Sequence, residues 1–230
     1  MHRRPAARGT GARRAGLEVA TAADDMLVVS GCKKDNIVGA HTRNWTYQDA
    51  PAEGEYRFFQ LAFVVDDLIE ASRKWTDVLG VGPFHVMPRR QSKAIYRGQP
   101  VEIDTRTAFA QTGPAFIELI QSFGDGPDIY RELYGPGEGG WHHMATVTKA
   151  YDETLAHYRD RGYAVALEFP EKRVAYLDTY KDFGFFAEVI ERTDLLISQA
   201  ARIADNCAAW QGEDPVRILT REGYRLPEPA

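Results

Sequence analysis

Two strand-like segments, far apart in the chain, each place a glutamate at the centre of an apolar run. One is FIELIQ at 116–121, with Glu118, and the other is FAEVIE at 186–191, with Glu188. Side chains alternate along a strand, so each glutamate shares a face with apolar neighbours. Burying a carboxylate without a partner is costly. Each must therefore bind a metal, pair with another group or lie at an open end of a sheet.

Each glutamate strand also closes a larger repeated unit. The first unit opens with a β-rich run over 57–65 that carries Gln60, and the second opens with a run over 141–148 that carries His143. A helical pattern that ends at a glycine follows each opening strand. Aligning Gln60 with His143 also aligns Gly80 with Gly162 after one gap, and the end strands align Glu118 with Glu188. The pattern predicts an internal repeat of roughly 60 residues in β-α-β-β-β order.

The repeat predicts an α+β protein with two βαβββ modules and a C-terminal helix. The predicted organisation is a poorly ordered leader with a short strand over 1–54, a first module over 55–123, a linker over 124–140, a second module over 141–192, and a helix and tail over 193–230. Strands are expected near 83–88, 94–99, 101–110 and 115–121, and near 163–168, 173–179 and 185–191. An amphipathic helix over 194–210 is expected to cover an exposed face of the domain or a partner subunit, and the tail from Arg221 is expected to be irregular.

Bulk properties narrow the functional classes. The apolar fraction of 44% and charged fraction of 27% are ordinary for a soluble globular protein, and a net charge of −5 gives no reason to expect nucleic acid. Cys32 and Cys207 have no metal or redox spacing, which favours a reducing cytoplasm. No apolar run is long enough to span a bilayer. The segment Val29–Cys32 is similar to a lipoprotein cleavage box but lacks the apolar core of a signal peptide, so 1–25 is interpreted as a disordered leader or as sequence before a start at Met26.

The four aligned positions predict a divalent metal held by Gln60, Glu118, His143 and Glu188. Strand alternation is expected to point His142 to the opposite face from His143. One imidazole with three oxygen ligands suits Zn²⁺, Mn²⁺, Fe²⁺, Co²⁺ or Ni²⁺, with one or two positions left for water or substrate. The competing interpretations are glutamates at strand ends paired with arginine and a histidine that only packs in the sheet.

At residues 57–192 the chain resembles the vicinal oxygen chelate superfamily, which includes glyoxalase I, methylmalonyl-CoA epimerase, extradiol dioxygenases and bleomycin- or fosfomycin-resistance proteins. The resemblance rests on the segments QLAFVVDDL from Gln60, GPF from Gly82, IELI from Ile117, HHMATV from His142 and AEVIE from Ala187. It implies a cup-shaped mixed sheet with a metal inside, bound at the four positions above. A Gln, Glu, His, Glu order resembles glyoxalase I, whereas the epimerases usually have His first. Gln60 also argues against the two-His, one-carboxylate site of extradiol dioxygenases.

The resemblance implies proton transfer next to a carbonyl, by a metal-dependent isomerase, epimerase or lyase acting on a small oxygenated substrate. Glu188 is the first choice for the base, with Glu118 the alternative. The candidates for substrate contact are Tyr96, Arg97, Arg106, Arg173 and Tyr176. Two other functions stay open: an Fe(II) extradiol-type dioxygenase, and a non-enzymatic binding or resistance protein that has lost the metal. The expected partner is a small molecule and not nucleic acid or a membrane, and a homodimer is compatible because family cups are often completed by a second subunit.

Overall fold

The computed structural model describes residues 56–228, and the predictions for the leader, its short strand and the Val29–Cys32 segment lie outside that range. The strands are β1 Tyr56–Val64, β2 Phe84–Val86, β3 Arg90–Tyr96, β4 Gln99–Thr112, β5 Ala115–Ser122, β6 Gly140–Thr148, β7 Val165–Phe169, β8 Val174–Leu177, β9 Phe186–Glu191, β10 Val216–Thr220 and β11 Gly223–Arg225. The helices are α1 Leu68–Leu79, α2 Ile129–Leu133, α3 Tyr151–Arg159, α4 Tyr180–Phe183 and α5 Asp194–Ala209, with a 3-10 turn at Pro170–Lys172.

Eight of the strands close into a barrel. Their pairing runs β4-β3-β7-β8-β9-β6-β1-β5 and returns from β5 to β4. Closure is possible because β4 has 14 residues, enough to pair with β3 along its first half and with β5 along its second half. The sheet is mixed: β1 is parallel to β5 and β6 is parallel to β9, whereas β1 and β6 are antiparallel. The predicted α+β class and the curved sheet built from two modules are confirmed.

The strands alternate between two environments, as the predicted periodicity requires. On β1, Ala62 and Val64 face the barrel interior, where they join a buried apolar cluster. The partly buried Leu61 and Phe63 face outward and pack with α1. The α3 helix covers the second module in the same way, through Tyr151 and other residues packed on the outer face of β8 and β9. The barrel thus has an apolar exterior under its helices and an interior able to hold a cavity.

Local signals set the ends of α1 as predicted. Asp67 caps its N-terminus by accepting a hydrogen bond from the Glu70 amide at 2.8 Å. Gly80 ends it in the left-handed conformation with φ of 68°, which glycine adopts without steric cost. The strand boundaries are less well predicted. β3 begins at Arg90 instead of near 94. The turn between β3 and β4 consists of Arg97 and Gly98, and both residues have positive φ.

The C-terminal segment forms part of the same sheet and also covers it. The α5 helix begins after Thr193, which accepts a hydrogen bond from the Leu196 amide, and Ala200 and Ile203 pack against Phe59 and Phe116. β10 then adds in parallel to β2, and β11 forms a hairpin with β10. The prediction of an irregular tail from Arg221 was wrong for Gly223–Arg225, since a short exposed strand has no hydrophobic alternation to reveal it. Among the described residues, no helix combines the length and apolar character needed to cross a membrane.

Candidate active site

Four polar side chains meet on the interior of the barrel, one from each of four neighbouring strands. Gln60 lies on β1, Glu118 on β5, His143 on β6 and Glu188 on β9, and all four are buried. Their register is symmetric. Gln60 pairs with Ala145 while His143 pairs with Ala62, and Glu118 and Glu188 lie beside those same two alanines on the outer strands. The internal repeat therefore places equivalent residues around a local two-fold axis.

The polar atoms of these four residues are in direct contact. Gln60 Nε2 donates a hydrogen bond to Glu118 Oε2 and lies 3.5 Å from His143 Nε2. His143 Nε2 lies 3.4 Å from Glu118 Oε2 and 3.2 Å from Glu188 Oε2. Apart from this ion-pair contact, the buried Glu188 Oε2 has no hydrogen-bond partner among the described residues. The structure thus brings together all four residues predicted as ligands.

A bulge in β6 corrects the predicted direction of His142. Ala62 opposes His143 and Phe63 opposes Trp141, so His142 is an extra residue in the ladder between β1 and β6. Such a bulge breaks strict alternation. His142 Nδ1 consequently lies 2.9 Å from His143 Nδ1, and His142 Nε2 lies 3.2 Å from the Ile129 carbonyl. Both histidines belong to one buried network.

This network fixes the tautomers of both rings. Since the Ile129 carbonyl can only accept, His142 Nε2 carries the proton and donates to it. His142 Nδ1 is then an acceptor, and it receives a hydrogen bond from His143 Nδ1–H. Burial and the charge of His143 lower the pKa of His142 well below its usual value, which keeps His142 neutral. Nε2 of His143 is left facing Glu118 and Glu188.

The two carboxylates beside the His143 imidazole favour a positive charge at this position. Burial lowers the pKa of His143, but the charge of Glu188 and the contacts with Glu118 outweigh that effect and raise it to about 9. Burial also raises the pKa of Glu118, with His143 acting in the opposite direction. Without another cation, His143 therefore binds a proton that it shares with the carboxylates.

Two tyrosines lie next to this cluster. The hydroxyls of Tyr130, on α2, and Tyr176, on β8, are 3.1 Å apart, and the Tyr176 ring contacts the His143 ring edge to face at 5.0 Å. Burial and the nearby carboxylates raise the pKa of both tyrosines well above the usual value. Both hydroxyls therefore stay protonated and can donate hydrogen bonds.

The cluster forms the floor of a cavity of about 860 Å³, a size typical of small-molecule sites. Glu118, Glu188, Gln60, Tyr130 and Tyr176 line the floor, and α5 and the β10–β11 hairpin line the opposite wall. Apolar side chains line the space between, among them Phe59, Phe109, Phe116, Phe169, Val174 and Ile190. The molecule therefore offers a deep site with a polar floor and apolar walls.

Four of the five residues predicted to contact substrate do not line this cavity. Arg97 forms ion pairs with Glu132 and, at 2.9 Å, with Asp178, and the Tyr96 hydroxyl donates to Glu132 at 2.6 Å. These contacts join the β3–β4 turn to α2 and to the end of β8. Arg97 and Tyr96 thus link the β3–β4 turn to neighbouring elements, and Tyr176 is the one of the five candidates that lines the cavity.

Arg106 and Arg173 are directed away by simple strand and turn geometry. Arg106 follows Thr105, which lines the cavity, so alternation turns Arg106 to the other face of β4, where it donates to the Met87 carbonyl at 3.3 Å. Arg173 pairs with Asp152 at 2.7 Å and with Glu191 at 2.9 Å. Arg173 therefore has its ion-pair partners outside the cavity, and Arg106 is engaged by a backbone carbonyl on the other face of β4.

The sequence did not single out Tyr130 or His85, although both line the cavity. Tyr130 lies in α2, inside a glycine-rich linker whose fold depends on Asp128, which caps α2 through the Arg131 amide at 2.6 Å. His85 lies on the three-residue strand β2 and is 3% exposed. Tyr130 lies in the linker, and β2, which carries His85, has no equivalent among the strands of the second module, so the repeat marks neither residue.

The ligand types of Gln60, Glu118, His143 and Glu188 suit a divalent metal, but their donor atoms do not point to one common position. Within residues 56–228 no group of three or more His, Cys, Asp or Glu side chains has the spacing of an assembled metal centre. Ligation by all four residues would require their donors to turn toward one point, and the Gln60 amide to rotate so that its oxygen faces inward. The unpartnered Glu188 Oε2 and the His143 Nε2 facing two carboxylates are the features that a cation would satisfy.

A family model decides the classification. The model of the glyoxalase/bleomycin resistance protein/dioxygenase superfamily matches residues 59–178. The chain belongs to this superfamily. The match begins just before Gln60 and extends through β8, so it includes three of the four site residues. Membership in the glyoxalase/bleomycin resistance protein/dioxygenase superfamily confirms the resemblance noted from sequence.

Solved structures of similar fold are more distant. A hypothetical protein from Bacillus halodurans is 16% identical, with 61% of this chain and 96% of that chain covered and a TM-score of 0.43. Methylmalonyl-CoA epimerase from Mycobacterium tuberculosis is 19% identical, with 60% and 89% covered and a TM-score of 0.42. A methylmalonyl-CoA epimerase in complex with methylmalonyl-CoA and NH4+ is 18% identical, with 60% and 95% covered and a TM-score of 0.40. No curated protein matches the chain.

Proposed function

We propose that this member of the superfamily is a metal-dependent isomerase, epimerase or lyase that moves a proton next to a carbonyl of a small oxygenated substrate. The observation that carries the proposal is the symmetric meeting of Glu118 and Glu188 beside His143 on the cavity floor. Gln60, Glu118, His143 and Glu188 would hold one divalent metal, such as Zn, Ni, Co, Mn or Fe. When bound, the metal would act as a Lewis acid that polarises the substrate carbonyl.

Within this proposal Glu188 is the base. Apart from its ion-pair contact with His143, its buried Oε2 has no hydrogen-bond partner among the described residues, whereas Glu118 Oε2 also accepts a hydrogen bond from Gln60. A carboxylate oxygen that accepts fewer hydrogen bonds is better placed to accept a proton. Glu118 approaches from the symmetric position and would return or remove a proton on the opposite face of the substrate carbon.

Tyr130 and Tyr176 would orient the substrate. One of their hydroxyls donates to the other across 3.1 Å, which leaves one hydroxyl proton directed elsewhere. Since both line the cavity and both stay protonated, that proton is available to an oxygen of the substrate on which negative charge develops. The surrounding apolar side chains limit water at the reacting carbon.

The test separates metal binding from proton transfer. Purified protein is analysed for metal content. Solvent deuterium exchange at the carbon next to the ketone or thioester carbonyl is followed by NMR for a panel of 2-oxo acids and acyl-CoA thioesters. We expect about one divalent metal per chain and exchange into at least one compound class. The Glu188→Gln variant should keep metal, though more weakly, and lose exchange by a factor of about 10²–10⁴.

Glu191→Gln is the matched control, since Glu191 lies on the same strand but pairs with Arg173 outside the cavity. It should leave exchange unchanged. Protein that holds no metal and exchanges no proton in any compound would overturn the proposal. Oxygen uptake with catechols on Fe(II)-loaded protein would favour the dioxygenase alternative, and tight binding of an apolar ligand by metal-free protein would favour a binding or resistance protein.

A further inference from the structure

A group of hydrogen-bond donors lies at the end of the cavity away from the carboxylate floor. Arg90, Ser92, Thr105 and Lys172 all line the cavity, and we call these four residues the basic corner. Arg90 and Ser92 lie two residues apart on β3 and so share a face, and Arg90 pairs with Thr105 on β4. The ammonium of Lys172 donates to the Ser92 hydroxyl at 2.7 Å. The four residues are thus linked into one patch.

The two cations of the basic corner flank Ser92, since Lys172 donates to its hydroxyl and Arg90 lies two residues before it on the same face of β3. The acidic residues that line the cavity are Glu118 and Glu188 on the floor and Asp205 on α5, as far as the described residues 56–228 extend. Although Lys172 is exposed overall, desolvation lowers the pKa of its ammonium, and the charge of Arg90 lowers it further. Glu171 acts in the opposite direction only as the smallest of the three effects. Two like charges held together in this way favour an anion between them.

Aromatic packing holds the basic corner against the apolar wall of the cavity. The ammonium of Lys172 lies 4.9 Å from the centre of the Phe169 ring, and Phe169 is buried and lines the cavity. A cation over an aromatic face loses part of its freedom. Lys172 is therefore held next to the apolar wall by Phe169 and next to Ser92 by a hydrogen bond.

The sheet gives the separation between the two ends of the cavity. Glu118 pairs with Phe109 on β4, and Thr105 lies four residues earlier on the same face of that strand. A β-strand rises about 3.3 Å per residue, so the basic corner lies roughly 13 Å along β4 from the floor. Thr107 lies between them on the same face of β4 and also lines the cavity.

We propose that the basic corner binds an oxyanion of the substrate, a carboxylate or a phosphate, and that the substrate is an amphipathic acid with oxygen ligands at one end and the anion roughly 13 Å away. The corner does not depend on the proposed function, whereas the oxygen ligands at the floor rest on it. Arg90 supplies a planar guanidinium that matches an oxyanion with two hydrogen bonds, and Lys172 and Ser92 supply further donors.

The first experiment needs no metal. Full-length protein stripped with a chelator is titrated by calorimetry with octanoate, hexyl phosphate and 1-octanol, at low and high NaCl. Octanoate or hexyl phosphate should bind at least tenfold more tightly than 1-octanol, and salt should weaken the anions selectively. The stronger of the two anions identifies the group as carboxylate or phosphate. Equal binding of anions and alcohol would overturn the proposal.

Two variants and a matched control locate the effect. Arg90→Gln and Lys172→Gln should each weaken anion binding roughly tenfold while leaving 1-octanol unchanged. Lys93→Gln removes the same charge from the same strand, but Lys93 is exposed and does not line the cavity, so it should change nothing. If Lys93→Gln weakens the anions as much as the other two variants, the preference is a general charge effect and the proposal fails.

A second pair of probes separates this inference from the proposed metal site. Suberic acid monohydroxamate and octanohydroxamic acid share a metal-chelating head, and only the first carries a carboxylate at the tail. On zinc-loaded protein, both should bind by a metal-dependent route and the first should bind roughly tenfold more tightly. Equal affinity for both would refute the basic corner and leave the metal site intact. Binding that is independent of zinc but still favours the carboxylate would refute the metal site and leave the corner intact.

Discussion

His142 shows how one residue can orient another. Its Nε2 donates to the Ile129 carbonyl and its Nδ1 accepts from His143 Nδ1. Because Nδ1 of His143 is engaged in this way, Nε2 of His143 faces the carboxylates. Partners of this kind fix both the tautomer and the orientation of a ligand ring. His142 therefore acts on the proposed metal only through His143, as a positioning residue.

Replacing His142 tests that role. His142→Phe keeps a ring against Tyr130 and Phe186, which both contact His142, but removes the hydrogen bond to His143. We expect zinc affinity, measured by competition with a fluorescent chelator, to fall by a factor of about 10–100. His157→Phe, on the exposed face of α3, is the control and should not alter it. Equal zinc affinity in the wild type and His142→Phe would contradict the prediction.

His85 makes stability depend on pH. Burial lowers its pKa from 6.5 to about 4, with hydrogen bonds to the backbone of Phe109 and Pro83 opposing and the charge of Arg217 assisting. In the unfolded chain His85 is therefore protonated below pH 6.5, whereas in the folded chain it is protonated only below about pH 4. The contribution of His85 is fully present above pH 6.5 and is lost as pH falls through that window, by up to roughly 3 kcal/mol.

Urea unfolding between pH 4 and 7 measures this effect. The slope of unfolding free energy against pH should be shallower in His85→Asn than in the wild type, because the carboxylates common to both proteins cancel in the comparison. The Asn side chain keeps a polar group near Asn206, which contacts His85 Nε2 at 3.2 Å. Parallel slopes in the two proteins would show that His85 is protonated or accessible in the folded state.

The start of β6 depends on close backbone packing at the scale of the strand. A Cβ on Gly139 would lie 2.4 Å from the Val64 carbonyl oxygen, whereas a Cβ on Gly135 would meet only the flexible Glu138 carboxylate at 3.4 Å. The Val64 carbonyl belongs to β1, so it cannot yield without moving the neighbouring strand. Gly139 therefore permits β1 and β6 to approach each other beside the site.

We expect Gly139→Ala to lower the free energy of unfolding by about 1–3 kcal/mol, measured by urea denaturation. Gly135→Ala should be close to neutral. Since β6 carries both His142 and His143, Gly139→Ala should also weaken zinc binding. A Gly139→Ala protein as stable as Gly135→Ala would mean that β1 and β6 are farther apart than described.

Elements that repeat were predictable and elements that depend on distant partners were not. Alternation along single strands was enough to bring Gln60 and Glu118 to the same interior. The bulge at His142 was not predictable, because it exists only in the pairing of β6 with β1. Arg97 looked like a substrate ligand for a similar reason: its partners Glu132 and Asp178 are 35 and 81 residues away, and no local pattern connects them.

At the scale of the whole molecule, α5 and the β10–β11 hairpin complete the cavity wall. Removing residues 194–230 would uncover Phe59, Phe116 and Val147, which pack against α5. We expect this truncated chain to bind a hydrophobic dye and to self-associate in light scattering, because the exposed apolar patch seeks another surface. A chain ending at Arg225 should behave like the full chain. A truncated protein that stays monomeric and binds no dye would contradict the covering role of α5.

The barrel closes through one narrow seam. β3 and β7 share only the pairs Ile95–Glu168 and Tyr96–Leu167, and the Arg97 amide bonds to the Ala166 carbonyl at 2.7 Å just beyond them. The Arg97 side chain adds ion pairs with Glu132 on α2 and with Asp178 after β8 to this junction of β3 and β7. A closed sheet is expected to open locally at the strand pair that has the fewest hydrogen bonds. We therefore expect loss of the Arg97 ion pairs with Glu132 and Asp178 to let β3 and β7 separate more readily, and ligands to enter and leave the cavity faster.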